Sequence, residues 1–146
     1  VRVLFLDIDG VLNRVGYSPN ESVGLRSWIE PELASRLSEL LRAIDAGIVL
    51  ASDWRKGRAL EHLVGELEAA GIEGSLLGVT PVLGRERWRE IDAWMSEHDV
   101  PAEHVAIVDD GYDMGTLATR FVRCSPLRGL DEEAAQAIRL LFETKA

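Results

Sequence analysis

The chain has 146 residues, 47% of them apolar and 28% charged, with one cysteine and a formal net charge of −9. These values suit one domain over residues 1–146 with a proper core and exclude a disordered chain. The acidic balance argues against strong non-specific nucleic-acid binding, which rests on lysine and arginine, and no stretch is long and apolar enough for a membrane span or a secretion leader.

Cys124 has no partner for an internal disulfide, so a reducing, cytoplasmic setting is expected. The opening residues Val1, Val3, Leu4, Phe5 and Leu6 predict a strand buried on both faces. It stops at Asp7-Ile8-Asp9-Gly10. Carboxylates two residues apart on extended chain point to the same side, an arrangement that calls for a cation or a shared proton. Gly10 permits a sharp turn or the close approach of a ligand. The plain alternative is an Asp-Gly turn at an exposed strand end.

Residues 13–30 have no clear period and contain Gly16, Pro19, Asn20 and Gly24, which predicts a long loop with room for a small hairpin. Tyr17 and Trp28 are expected to pack it down. Pro31 opens a helix whose Leu33, Leu37, Leu40, Leu41 and Ile44 recur at helical spacing, with Gly47 as its stop. A second buried strand over 48–51 ends at Ser52-Asp53-Trp54-Arg55, and a helix over 58–70 follows, stopped by Gly71. Then come a short strand over 76–79, a loop over 80–84 and a helix over 86–98 with Trp88, Ile91, Trp94 and Met95 as its apolar stripe. His98 and His104 lack a histidine or cysteine at metal-ligand spacing and are placed at the surface or at helix ends. A fourth strand over 105–108 runs into Asp109-Asp110-Gly111-Tyr112-Asp113. A fifth over 121–124 precedes a last helix over 131–142, with acids in its first turn as the helix dipole favours.

Strands alternating with helices predict an α/β fold: three layers, a central parallel five-stranded sheet with helices on both faces, joined by right-handed crossovers. Ligands of such sheets bind beyond the carboxyl ends of the strands. That edge collects Asp7, Asp9, Ser52, the Arg85, Arg87 and Arg89 cluster, and Asp109, Asp110 and Asp113. Oxygen ligands of this kind suit Mg2+. Ser52 and an arginine supply donors for a phosphate. The combination points to phosphoryl transfer, with a carboxylate available as nucleophile.

The pattern resembles the haloacid dehalogenase-like (HAD) superfamily over nearly the whole chain. Its first motif, DxDG[TV], stands at Asp7-Ile8-Asp9-Gly10-Val11; its second, an apolar strand ending in Ser or Thr, at 48–52; its fourth, an apolar strand with paired acids, at 105–110. The third is a lone basic residue, placed at Arg87 with Arg85 and Arg89 as competitors. The narrower strings DxDGVLN, SDWR, TP, RxxEI, VDDxxDM and GL are similar to those of the small HAD domains of Swiss Army Knife RNA repair proteins.

The resemblance implies that Asp7 attacks phosphorus and binds Mg2+. It implies that Asp9 handles the proton while its backbone carbonyl binds the metal, and that Ser52 and Arg87 hold phosphoryl oxygens. Asp109 would ligate the metal, with Asp110 or Asp113 as the second acid. The interval from Asp9 to the first helix and that from Ser52 to Arg87 leave no room for a cap domain. A capless site implies a large phosphorylated substrate, a nucleic-acid end or a phosphoprotein, with Arg14, Arg55, Lys56 and Arg58 available at the rim. The expected activity is a Mg2+-dependent phosphatase working through an aspartyl-phosphate. The alternatives are a phosphotransferase, a small-molecule phosphatase, or a catalytically weak binding or regulatory module on the same fold. A response-regulator receiver is disfavoured, because the third strand leads to Val79-Thr80 rather than an acceptor Asp and no lysine follows the fifth.

Overall fold

The computed structural model describes residues 1–74, 76–111 and 113–143. Five strands, β1 (Arg2–Leu6), β2 (Ala46–Leu50), β3 (Leu76–Val79), β4 (Val105–Asp109) and β5 (Phe121–Arg123), form one sheet in the order β3-β2-β1-β4-β5. All pairings are parallel. Among the described residues four α-helices, α1 (Pro31–Ile44), α2 (Leu60–Ala69), α3 (Arg87–Glu97) and α4 (Glu132–Leu141), lie on its two faces.

Successive strand side chains point to opposite faces, so one apolar run serves two cores. Leu4, Leu6, Ile48, Leu50, Ala106 and Val108 face α1, α2 and α4, where Leu33, Leu37, Leu63, Leu67 and Ile138 meet them. Val3, Phe5, Val49, Val105 and Ile107 face the other way, under Ile91, Trp94 and Met95 of α3. There the Phe5 and Trp94 rings meet edge to face at 5.5 Å. Fully burying each such side chain contributes about 1.5–3 kcal/mol.

From β1 the chain winds through α1, β2 and α2 to β3 on one side. It then crosses the opposite face as α3 to reach β4 on the far side of β1. The connections leaving β1 and entering β4 therefore lie on opposite faces, which makes the carboxyl ends of these two neighbours the switch point where such sheets bind ligands.

Two expectations are corrected. Gly47 does not stop α1: Asp45 does so in the left-handed region (φ 52°), its N–H bonded to the Leu41 carbonyl. Gly47 instead lies in β2, where a Cβ would sit 2.7 Å from the Leu77 side chain. The 13–30 loop holds a 3-10 turn at Leu25–Trp28 rather than a hairpin. Buried Glu66 on α2 grips it, accepting from the Arg26 guanidinium at 3.0 Å. Tyr17 and Trp28 do pack together, ring centroids 6.5 Å apart. Between β4 and β5 the cover is a 3-10 helix, Gly115–Arg120, whose Leu117 joins Met114 in the second core. Among the described residues no helix is long and apolar enough to cross a membrane.

Candidate active site

β1 and β4 end side by side, with the Asp7 N–H bonded to the Val108 carbonyl at 3.2 Å. Their exits set Asp7 beside Asp109, the last residue of β4, and Asp110 follows directly. Carboxylate oxygens of Asp7, Asp109 and Asp110 all lie within 4.8 Å of one another. Asp7 and Asp109 are buried, and Asp110 is half-buried.

Arg87, the first residue of α3, reaches into this group. Its Nη1 is 2.7 Å from Asp109 Oδ2 and 3.2 Å from Asp7 Oδ1, and its Nη2 is 3.8 Å from Asp53 Oδ1. Arg85 and Arg89 are exposed, and Arg89 lies over the Trp88 ring at 4.5 Å. Of the three arginines, Arg87 is the one brought to the carboxylates. Ser52 is buried one step beyond the Ala51 N–H, which bonds to the Leu6 carbonyl. Its Oγ accepts from the Trp54 N–H at 3.2 Å and caps a 3-10 turn at Asp53–Arg55.

Burial pushes the Asp7 carboxyl up to about 8, with the neighbouring Asp109 charge adding to the rise and Arg87 opposing it. Burial also raises Asp110. For Arg87, burial works against the charge, but Asp7 and Asp109 outweigh it and hold the guanidinium more firmly protonated. One guanidinium among three carboxylates leaves positive charge in deficit. An all-oxygen donor set of this density fits a hard divalent cation such as Mg2+.

Gly10 makes the grouping possible. It has φ 82°, and a Cβ there would lie 2.3 Å from Asp110 Oδ2. Gly10→Ala is expected to drive the Asp110 carboxylate out of the group and to cost roughly 1–3 kcal/mol. Urea unfolding reads the cost, and an unchanged midpoint would contradict it.

Asp9 lies elsewhere. Its exposed carboxylate accepts from Asn13 Nδ2 at 3.0 Å and from Trp54 Nε1 at 3.3 and 3.2 Å, and it is outside the three-carboxylate group. Asp113 is also outside it: exposed, its Oδ1 accepts from the Gly115 N–H at 2.9 Å and opens the 3-10 helix. Of Asp110 and Asp113, Asp110 is the one brought to Asp7 and Asp109. Asn13 and Trp54 were absent from the expected site. Both stand in the DxDGVLN and SDWR strings, which gave them no site role; the spacing of four between Asp9 and Asn13 was a local signal, and Trp54 reaches Asp9 through the tertiary fold.

The rim reading fails for Arg55. Its side chain is buried and gives Nε to the Thr80 carbonyl (2.9 Å), Nη1 to the Ser52 carbonyl (3.0 Å), and Nη2 to the Pro81 carbonyl (3.2 Å) and Glu90 Oε1 (2.8 Å). It ties the end of β2 to the 80–81 segment and α3. Lys56 and Arg58 are exposed, Lys56 paired with Asp53 at 3.2 Å and Arg58 lying over the Trp54 ring at 4.9 Å. Arg14 is half-exposed and paired with Glu30 and Glu32 at the loop stem.

The family model for the HAD domain in Swiss Army Knife RNA repair proteins matches residues 3–135, which takes in every residue of this edge. No curated protein and no solved structure matches the chain.

Proposed function

We propose that this chain, which belongs to the family of HAD domains in Swiss Army Knife RNA repair proteins, is a Mg2+-dependent phosphomonoester hydrolase that works through a phosphorylated Asp7. The observation that carries the reading is the grip of Arg87 on both Asp7 and Asp109 inside a three-carboxylate group at the carboxyl ends of adjacent strands.

Asp7, Asp109 and Asp110 would hold the cation, which supplies charge neutralisation for the phosphoryl oxygens. The chain's own residues do the rest. Asp7 Oδ1 accepts from the Ile8 N–H at 2.9 Å and faces Arg87, so the carboxyl plane is fixed and the attack falls to Oδ2. A bond forms from Oδ2 to phosphorus as the bond to the leaving oxygen breaks, and Asp9 gives that oxygen a proton. Water then attacks phosphorus, Asp9 takes its proton, and the acyl phosphate releases Asp7. Arg87, already charged and poised, balances the phosphoryl oxygens through both steps.

The substrate we propose is the phosphorylated end of a nucleic acid. The support is an edge with no cap over it among the described residues and with Lys56 and Arg58 exposed, Arg58 lying over the Trp54 ring. Attraction of this kind is local, because the chain as a whole is acidic. A panel of phosphorylated oligonucleotide ends, a phosphopeptide, free nucleotides and sugar phosphates, each with Mg2+ and with chelator, tests it. Oligonucleotide ends are expected to be hydrolysed fastest, and only with metal. Equal rates in chelator would end the metal assignment, and faster turnover of free nucleotides or sugar phosphates would end the substrate assignment.

A further inference from the structure

Asp9 presents an unusual picture for an exposed carboxylate. Such a side chain ordinarily samples several rotamers in water, and fixing it costs entropy. Here it is held from two sides by groups that can only donate to it. The Trp54 indole N–H sits almost evenly between its two oxygens, at 3.3 and 3.2 Å, and Asn13 Nδ2 binds Oδ1 at 3.0 Å.

Both donors are themselves fixed. The buried Asn13 amide is fully used: its Oδ1 accepts from the Gly10 N–H at 3.1 Å, and its Nδ2 also donates to the Trp28 carbonyl at 2.8 Å. Flipping that amide would put its oxygen against the Asp9 carboxylate, so the bonding network allows one orientation. Trp54 is fixed at its N–H by Ser52 Oγ, at its carbonyl by Arg58 Nη1 (3.0 Å), and across its ring by the Arg58 guanidinium. The clamp therefore joins the β1 exit, the β2 exit and the 13–30 loop at a single carboxylate.

We infer that Trp54 and Asn13 are positioning residues that hold Asp9 where it meets the leaving-group oxygen. The inference rests on the phosphatase reading. When phosphorus is transferred to Asp7, the electron pair of the breaking bond goes to the leaving oxygen, which needs the Asp9 proton if it becomes an alkoxide. A dinitrophenolate leaves without one. Misplacing Asp9 therefore penalises alkyl esters far more than activated aryl esters, whereas a fault of folding or of phosphate binding penalises both alike.

The test uses the whole chain with Mg2+, comparing a 5′-phosphorylated oligonucleotide with 2,4-dinitrophenyl phosphate. Trp54→Phe keeps an aromatic ring beside Arg58 and removes the N–H donor together with part of the ring; Asn13→Ala removes the second donor. Each is expected to lower kcat on the oligonucleotide by about 10- to 100-fold and on the aryl ester by less than about threefold, with KM unchanged. In an Asp9→Asn background, adding Trp54→Phe is expected to change the ratio of the two rates no further. Parallel losses on both substrates, no loss, or a gain on the oligonucleotide would overturn the positioning role. If Asp9→Asn alone leaves the ratio at its wild-type value, the fault lies instead in the proton role given to Asp9 and in the mechanism built on it.

Discussion

Asp7→Asn is expected to lower kcat on any phosphomonoester by on the order of 10⁴-fold or more, while the protein stays folded and, without metal at pH 8, becomes more stable. The two halves have one cause. Asp7 is buried next to Asp109 and Asp110, so in the metal-free fold its charge is costly and burial carries its carboxyl up to about 8. A folded carboxyl that binds its proton more tightly than the unfolded one contributes stability below about pH 4 that is lost as pH rises towards 8. Asparagine has the same shape and no charge to desolvate. The variant and the wild type should therefore melt together near pH 4 and diverge by a few kcal/mol, on the order of the proton-affinity difference, by pH 8. Magnesium should reverse the order by raising the wild-type melting temperature and leaving the variant little changed. Calorimetry in chelator and in Mg2+ reads all of this. Wild-type stability that stays flat from pH 4 to 8 in chelator would contradict the electrostatic account, and retained turnover would remove Asp7 as nucleophile.

Arg55→Ala is the second large effect, and it falls on the fold. The substitution strands Glu90, whose Oε1 loses a 2.8 Å partner, and three main-chain carbonyls at Ser52, Thr80 and Pro81. Leaving one member of a buried ion pair alone costs about 3–5 kcal/mol. Glu90 keeps its other oxygen on the Leu83 N–H at 2.7 Å, so it cannot simply leave the interior. Urea unfolding should show the loss, and a double replacement of Arg55 and Glu90 by apolar residues should recover much of it. A raised KM with an unchanged unfolding midpoint would return Arg55 to the rim.

The strands and the gathering of acids were legible because they depend on local patterning. An apolar run that stops at Asp7, and another that stops at Asp109, declare a buried strand and its polar exit without reference to anything distant. Choosing Arg87 over Arg85 and Arg89 depended on the phase of α3, in which Arg87 opens the helix and faces the two buried aspartates. Arg55 was misjudged because charge usually marks a surface. Its partner Glu90 is 35 residues away, although an acid four positions before Trp94 on a core-facing stripe was a hint. Sequence distance also hid Trp54, 45 residues from the Asp9 carboxylate it touches. Gly47 misled because a glycine after a helical run usually ends it, whereas Asp45 takes the left-handed turn and frees Gly47 to make room for Leu77.

The Glu66 anchor beneath the 13–30 loop bears on how the domain could be rebuilt. The stem is fastened at Asn13, at Glu30 and from below at Arg26, while Asn20 and Glu21 stand in solvent. Lengthening a loop costs only about 0.6 kcal/mol per doubling of its length. New sequence spliced between Asn20 and Glu21 would then extend from the loop that leaves the Asp7 end of β1 without loosening its stem, so this tip is where an engineer should graft a lid to confer selectivity for small substrates.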